Sequence, residues 1–231
     1  MDPIVFTPRM KLTLMTKAER ESPELRWLHE LRSEEKVTWW SIHGCSKTLE
    51  ETEKFAKGCL PAGPEEDEPK SYRVAYAVHE RLNRTEKSVE DGTKPEALPT
   101  RFIGMVTLRS LGQNDIILPS HLFPTTIASP DVLTTEVAYY FLPHVWGKGY
   151  AVEAVDAVFS ACRNGSSFWA PYKRVYVRAM VNEGNIASQK VMAKTDMVRR
   201  CVHAWEGKAV WLAGKWINKS KEHIFGMWLL E

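Results

Sequence analysis

The sequence predicts an α/β protein, a mixed β-sheet with helices packed on both faces. Three observations predict it. Apolar residues change period along the chain, from alternation to helical spacing and back. One strand-like run leads through a Gly-rich turn into an amphipathic helix, and a second strand-like run follows that helix, which is a βαβ unit. The last two strand-like runs then follow without a long intervening helix. Together the elements read β-α-α-β-β-β-α-β-α-β-β.

Each element has its own signal. Residues 11–15 read as a short strand. Residues 24–34 read as a helix, with Leu25, Leu28 and Leu31 near helical spacing and Ser22-Pro23 at its start. A second helix is expected over 48–59. Residues 72–79 alternate, with Val74, Tyr76 and Val78 on one side, and 102–108 is their expected partner strand. Strand 136–142 comes next. Helix 150–163 follows, its stripe of Val152, Val155, Val158, Phe159 and Cys162 opposed by Glu153, Asp156, Ser160 and Arg163. In 174–181, Val175, Val177, Ala179 and Val181 face one way; Arg174, Tyr176, Arg178 and Met180 face the other. A helix over 186–194 and strands over 197–205 and 223–230 complete the order.

One domain over 1–231 is expected, since 231 residues suffice for one well-filled core with sizeable loops. Loop insertions are expected near 61–70 (PAGPEEDEPK), 82–100 (LNRTEKSVEDGTKPEALPT) and 112–133. The second is read as the loop of a long hairpin.

Composition excludes several classes. A net charge of +2 is too small to argue for nucleic acid or an anionic membrane as partner. No apolar run approaches the ~20 residues that span a bilayer, and 1–15 lacks the continuous apolar stretch of a secretory signal. A cytoplasmic location is the resulting expectation. Cys45, Cys59, Cys162 and Cys201 form no metal-spaced cluster, so no metal is expected and the thiols are read as reduced.

The strongest local signal is 141–151 (FLPHVWGKGYA). A helix N-terminus at a Gly-rich turn directs free N–H groups and a positive dipole end toward an anion. Gly147 and Gly149 allow close backbone approach. A P-loop needs Ser or Thr after its Lys, but Gly149 follows Lys148. A dinucleotide fingerprint needs a third glycine where Val152 stands. From the turn alone, a phosphate site and a simple tight turn stand side by side.

Residues 136–154 (EVAYYFLPHVWGKGYAVEA) resemble motif A of the GNAT acetyltransferases, within the branch that includes ribosomal-protein N-terminal acetyltransferases. The family pattern Q/R-x-x-G-x-G/A falls on residues 146–151, with Trp146 in place of Gln or Arg. Residues 182–197 (NEGNIASQKVMAKTDM) resemble the family's N-x-x-S helix and the K-x-G-F turn after it. Asn185, Ser188 and Lys194 match; Asp196 and Met197 stand where Gly and Phe are common. Residues 7–16 (TPRMKLTLMT) resemble the branch's opening strand.

The resemblance implies acetyl-CoA, or another acyl-CoA, as co-substrate. It implies a parallel strand pair that splays, with pantetheine along the exposed edge at Tyr140, Phe141 and Leu142. Pyrophosphate would lie on the amides of Gly147, Gly149, Tyr150 and Ala151, with Lys148 as an added charge. Asn185 and Ser188 would line the other wall. Glu136 is the candidate base, beside the bland reading of an ion pair with Arg174 or Arg178. The family's usual acid, a Tyr, falls on Met192; Ser188, Tyr139 and Tyr140 are possible substitutes. Trp39, Trp40 and His43 fall where the family shapes its acceptor site, as do Trp205, Trp211 and Trp216. The expected acceptor is a small-molecule amine or a protein N-terminus, and the expected state a monomer or homodimer. A longer acyl-CoA, an oxygen acceptor, a non-catalytic CoA-binding module and an ATP-binding protein remain the alternatives.

Overall fold

The computed structural model describes residues 1–61, 72–82, 98–111 and 129–231. Most of the three expected loop insertions therefore lies outside the described residues. Val132 and Leu133, placed in the third loop by the sequence reading, instead open a strand and are buried.

The strands are β1 (Ile4–Phe6), β2 (Met10–Leu14), β3 (Arg73–Arg81), β4 (Thr100–Ser110), β5 (Val132–Phe141), β6 (Arg174–Asn182), β7 (Val198–Leu212) and β8 (Lys215–Leu230). They form one sheet in the order β1-β2-β3-β4-β5-β6-β8-β7. Among the described strands only β5 and β6 run parallel; the other neighbours are antiparallel. The helices are α1 (Pro23–Ser33), α2 (Glu35–Thr38), α3 (Leu49–Cys59), α4 (Tyr150–Asn164) and α5 (Ile186–Met192).

Sequence chemistry sets the helix starts. The Ser22 hydroxyl accepts from the Leu25 N–H, and Pro23 needs no partner for an N–H it lacks. Thr48 caps α3 through the Glu51 N–H, while the Glu51 carboxylate accepts from the Lys47 N–H at 2.6 Å. Asn185 caps α5 through the Ser188 N–H.

The sheet is buried on both faces. Val74, Tyr76 and Val78 of β3 pack in the layer shared with Val155, Val158 and Phe159 of α4. Ala75 and Ala77, on the opposite face of β3, lie under Leu28 and Leu31 of α1 and Ala56 of α3. The alternation in β3 thus marks two cores, large side chains under α4 and small ones under α1 and α3, rather than a wet and a dry face. Val152, placed on the apolar stripe of α4, is only half-buried, and Ala154 and Ala161 take part in its buried face instead.

The last two strands are much longer than their apolar segments. They meet in a two-residue turn, Ala213-Gly214, with φ of 51° and 76°, as a tight hairpin twisted with its strands requires. β8 pairs with β6 only from Glu222 onward. Beyond that point β7 and β8 pair only with each other and project past the end of β6.

The feature that positions the site is a split. β5 and β6 pair from Val132↔Arg174 to Glu136↔Arg178 and no farther, though β5 continues to Phe141 and β6 to Asn182. Each strand stays bonded on its outer side: Phe141 opposes Gly104 of β4, and Asn182 opposes Glu222 of β8. The strands therefore diverge without either losing its place in the sheet.

Candidate active site

The turn after β5 enters α4 through Gly147 (φ 74°) and Gly149 (φ 80°). Gly149 is the N-cap residue and has no side chain to satisfy the first amides. The first backbone bond of the helix runs from the Glu153 N–H to the Gly149 carbonyl at 3.2 Å. The N–H groups of Tyr150, Ala151 and Val152 are thus free of intrahelical bonds. Residues 146–149 are exposed, so these amides and the dipole of a 15-residue helix face an open surface. Lys148 forms no ion pair among the described residues.

Arg9, on the turn between β1 and β2, was not singled out by the sequence. Its Nη1 donates to the Lys148 carbonyl at 2.7 Å, its Nε to Glu153 Oε2 at 2.7 Å, and its guanidinium lies 4.3 Å from the Tyr150 ring centre. Its Nη2 lies 3.5 Å from the point a Cβ on Gly149 would occupy. Burial alone would raise the Glu153 pKa, but hydrogen bonds from Thr7 and Arg9 hold it below the usual range. A separation of 144 residues hides this pairing from any local motif.

Along the split, hydrogen-bonding directions alternate residue by residue. The Leu142 N–H donates to the Ile103 carbonyl of β4 at 2.9 Å. The Tyr140 carbonyl also points at β4, 2.5 Å from the place of a Gly104 Cβ. Of the three residues expected to present backbone to pantetheine, Phe141 alone faces the split, and alternation adds Tyr139 and Val137. The Phe141 carbonyl already accepts from the Trp146 indole at 2.6 Å. Trp146, the departure from the family pattern, thus ties the turn to the end of β5.

Across the split stands α5. Asn185 is committed to its cap, and the Ser188 hydroxyl lies 2.5 Å from the Tyr139 hydroxyl, which also donates to the Ser188 carbonyl at 3.3 Å. Burial pushes the Tyr139 pKa up to about 12 even though the Ser188 bond acts the other way. Met192 is fully buried in the core and presents no hydroxyl.

Glu136 lies on the other face of β5. Arg178 donates to its Oε2 from Nε at 2.9 Å and from Nη2 at 2.8 Å, and Arg109 Nη2 is 3.5 Å from Oε1. Both carboxylate oxygens therefore face guanidinium groups. Arg174, the other partner considered, instead lies 4.1 Å from the Trp228 ring centre. Past Glu136 on the same face is Tyr140, whose pKa burial pushes up to about 12.

The segment after α2 lies nearby. Arg32, almost fully buried, donates to the Ser41 hydroxyl and the Gly44 carbonyl and sits 4.4 Å from the Phe55 ring centre. It thereby fixes residues 41–44. The His43 ring meets Phe55 edge-on at 6.4 Å, and Phe55 meets Tyr140 edge-on at 6.0 Å. Desolvation, then Arg32 and Arg109, lower the His43 pKa. Trp39 and Trp40 point elsewhere. Trp39 packs on Gly214 at the hairpin tip and Trp40 on Gly184 in the turn after β6. His43 is thus grouped with Phe55 and Tyr140, whereas the two tryptophans brace the segment that carries it.

Among solved structures, the chain matches a GNAT-family acetyltransferase from Bacillus anthracis over 98% of both chains, at 17% identity and TM-score 0.56. It matches spermidine N-acetyltransferase from Vibrio cholerae, solved with CoA and spermine, over 94% of this chain and 95% of that one, at 12% identity and TM-score 0.55. Ribosomal-protein-S5-alanine acetyltransferase from Vibrio fischeri matches over 98% and 96%, at 14% identity and TM-score 0.55. At such identities these likenesses establish the fold. No curated protein matches the sequence. The family model described as acetyltransferase (GNAT) domain matches residues 11–198. With most of the chain inside that match and the parallel pair split beside a Gly-rich helix N-terminus, the chain belongs to the GNAT acetyltransferase family.

Proposed function

We propose that the chain transfers an acetyl group from acetyl-CoA to an amine of a small molecule or a protein N-terminus, by direct attack. The observation that carries this reading is the split between β5 and β6, opening beside the amides of 150–152, which have no intrahelical partner. An extended amide-bearing arm and a phosphate-bearing end match those two features in that order. The arm would bond to the Tyr139 and Phe141 backbone, with Asn185 and Ser188 opposite. The Phe141 N–H is the natural donor to the oxyanion.

The attacking amine must be neutral, and ordinary amines hold their proton at pH 7. Glu136 is occupied by Arg178 and Arg109, so we assign it to ordering the floor of the site. His43, whose lowered pKa keeps it neutral at pH 7, is the better acceptor of the amine proton. Glu136→Gln should then change kcat by less than ~5-fold. His43→Ala should remove the acid limb of the pH–rate profile and cost on the order of 10²-fold.

The test is calorimetric titration with acetyl-CoA and CoA, followed by thiol release against an amine panel. The panel contains spermidine, amino acids and alanine-led peptides, since the names of two structural neighbours cover both acceptor types. A folded protein that binds neither CoA species would end this reading. Binding without turnover on any amine would favour the non-catalytic alternative.

A further inference from the structure

We infer that the Tyr139 hydroxyl, held across the split by Ser188, is the hydrogen-bond donor to the departing thiolate. This rests on the acyl-transfer reading above. A thioester in the split lies between β5 and α5. Among the described residues, the Tyr139–Ser188 pair is the side-chain hydrogen bond that joins those two elements, at 2.5 Å. The Tyr139 side chain leaves β5 on the face of Val137 and Phe141, whose backbones, like its own, face the split. On α5 the Met192 side chain is fully buried and carries no proton.

The chemistry calls for donation rather than full proton transfer. As the amine nitrogen bonds to the acyl carbon and the C–S bond breaks, the electron pair stays on sulfur and the amine proton leaves to the base. An alkyl thiol has a pKa near ~8.5, whereas burial pushes Tyr139 up to about 12. The phenol therefore keeps its proton and stabilises the thiolate by a charge-assisted hydrogen bond. The Ser188 hydroxyl donates to the phenol oxygen and so aims it. The phenol proton, which at rest faces the Ser188 carbonyl at 3.3 Å, turns to the thiolate, and the thiolate later takes a proton from solvent.

The experiment needs no acceptor. CoA is bound to the wild type and to Tyr139→Phe, and thiolate formation is followed by ultraviolet absorbance against pH. A hydrogen bond to a charged group predicts that the bound thiol pKa is about 1–2 units higher in Tyr139→Phe, a ten- to hundredfold loss of thiolate fraction near pH 7. Affinity for acetyl-CoA should be nearly unchanged, because a thioester sulfur is a poor acceptor. An unchanged thiol pKa in Tyr139→Phe overturns the inference. Ser188→Ala serves as the second variant. A thiol pKa that stays low there supports Tyr139 as donor, whereas a rise equal to that expected for Tyr139→Phe assigns the donor to Ser188 and overturns it. Failure of the wild type to bind CoA would strike the acyl-transfer reading instead.

Discussion

Gly149→Glu places a carboxylate at the helix N-terminus where the pyrophosphate is expected. The built Cβ meets only Arg9 Nη2, at 3.5 Å, so the new side chain enters open space rather than a packed core. Two costs must be separated. The backbone cost follows from φ of 80°: a non-glycine residue in the left-handed region costs about 1–2 kcal/mol of stability. The charge cost follows from Coulomb's law. Two unit charges about 5 Å apart at an effective dielectric of about 20 repel by about 3 kcal/mol, and solvent screening at this exposed turn reduces that to about 1.5–3 kcal/mol. Gly149→Gln carries the same backbone cost without the charge. Calorimetry should show CoA binding about 10- to 200-fold weaker in Gly149→Glu than in Gly149→Gln. The two variants should share a melting temperature and bind phosphate-free pantetheine alike. Equal CoA affinity in both, or a pantetheine loss that parallels the CoA loss, would refute a phosphate site at this turn.

Other perturbations have equally definite outcomes. Arg9→Ala removes the link to Lys148 and Glu153; because Arg9 is one-third exposed, stability should fall by only ~0.5–1 kcal/mol, while CoA affinity falls ~3- to 30-fold by calorimetry and Arg9→Lys restores part of it. His79 is buried against Trp27 and Phe102, and burial lowers its pKa to about 4. The unfolded chain takes that proton near ~6.5, so the folded state binds fewer protons between these values and loses stability as pH falls through them, by about 3 kcal/mol in all. Urea midpoints from pH 7.5 to 4.5 should show this loss in the wild type and not in His79→Leu. Trp211 and Trp216 form a cross-strand pair at 5.7 Å on the projecting hairpin. Trp216→Ala should speed amide exchange over 208–218 while lowering global stability by less than ~1 kcal/mol.

The legible parts of the sequence were those with a strong local signature. Helix α4 was found within a residue because its apolar stripe and Gly-rich entry agree. Helix α1 was found because Ser22-Pro23 stands next to periodic leucines. β1 and α2 were missed, being too short to display a period. The reach of β7 and β8 was missed because their projecting parts bury little beyond Leu212, and charged and small residues interrupt the alternation there. In the site, the Gly147–Gly149 turn was readable from local pattern, and Asn185 and Ser188 from the resemblance to the family's N-x-x-S helix. The Arg178 partner of Glu136 was one of the two pairings the sequence offered; Arg9 beside the turn and Arg109 on Glu136 were not legible, because strand order rather than sequence distance brings them together. The backbone direction at the split also needed the structure, since a one-residue change of phase exchanges Tyr140 for Tyr139.

The strand that secures β6 at the far wall of the split is made well after β6 itself. β6 keeps its outer edge satisfied through β8, whose pairing residues 222–230 follow the end of β6 by 40 positions or more. While the chain is being synthesised, β6 has an open edge, and the divergence from β5 has nothing to pull against. Site assembly is therefore a late, non-local event that waits on residues outside the site itself. Removing residues from 222 onward would delete none of the candidate catalytic groups and still dismantle the opening they share.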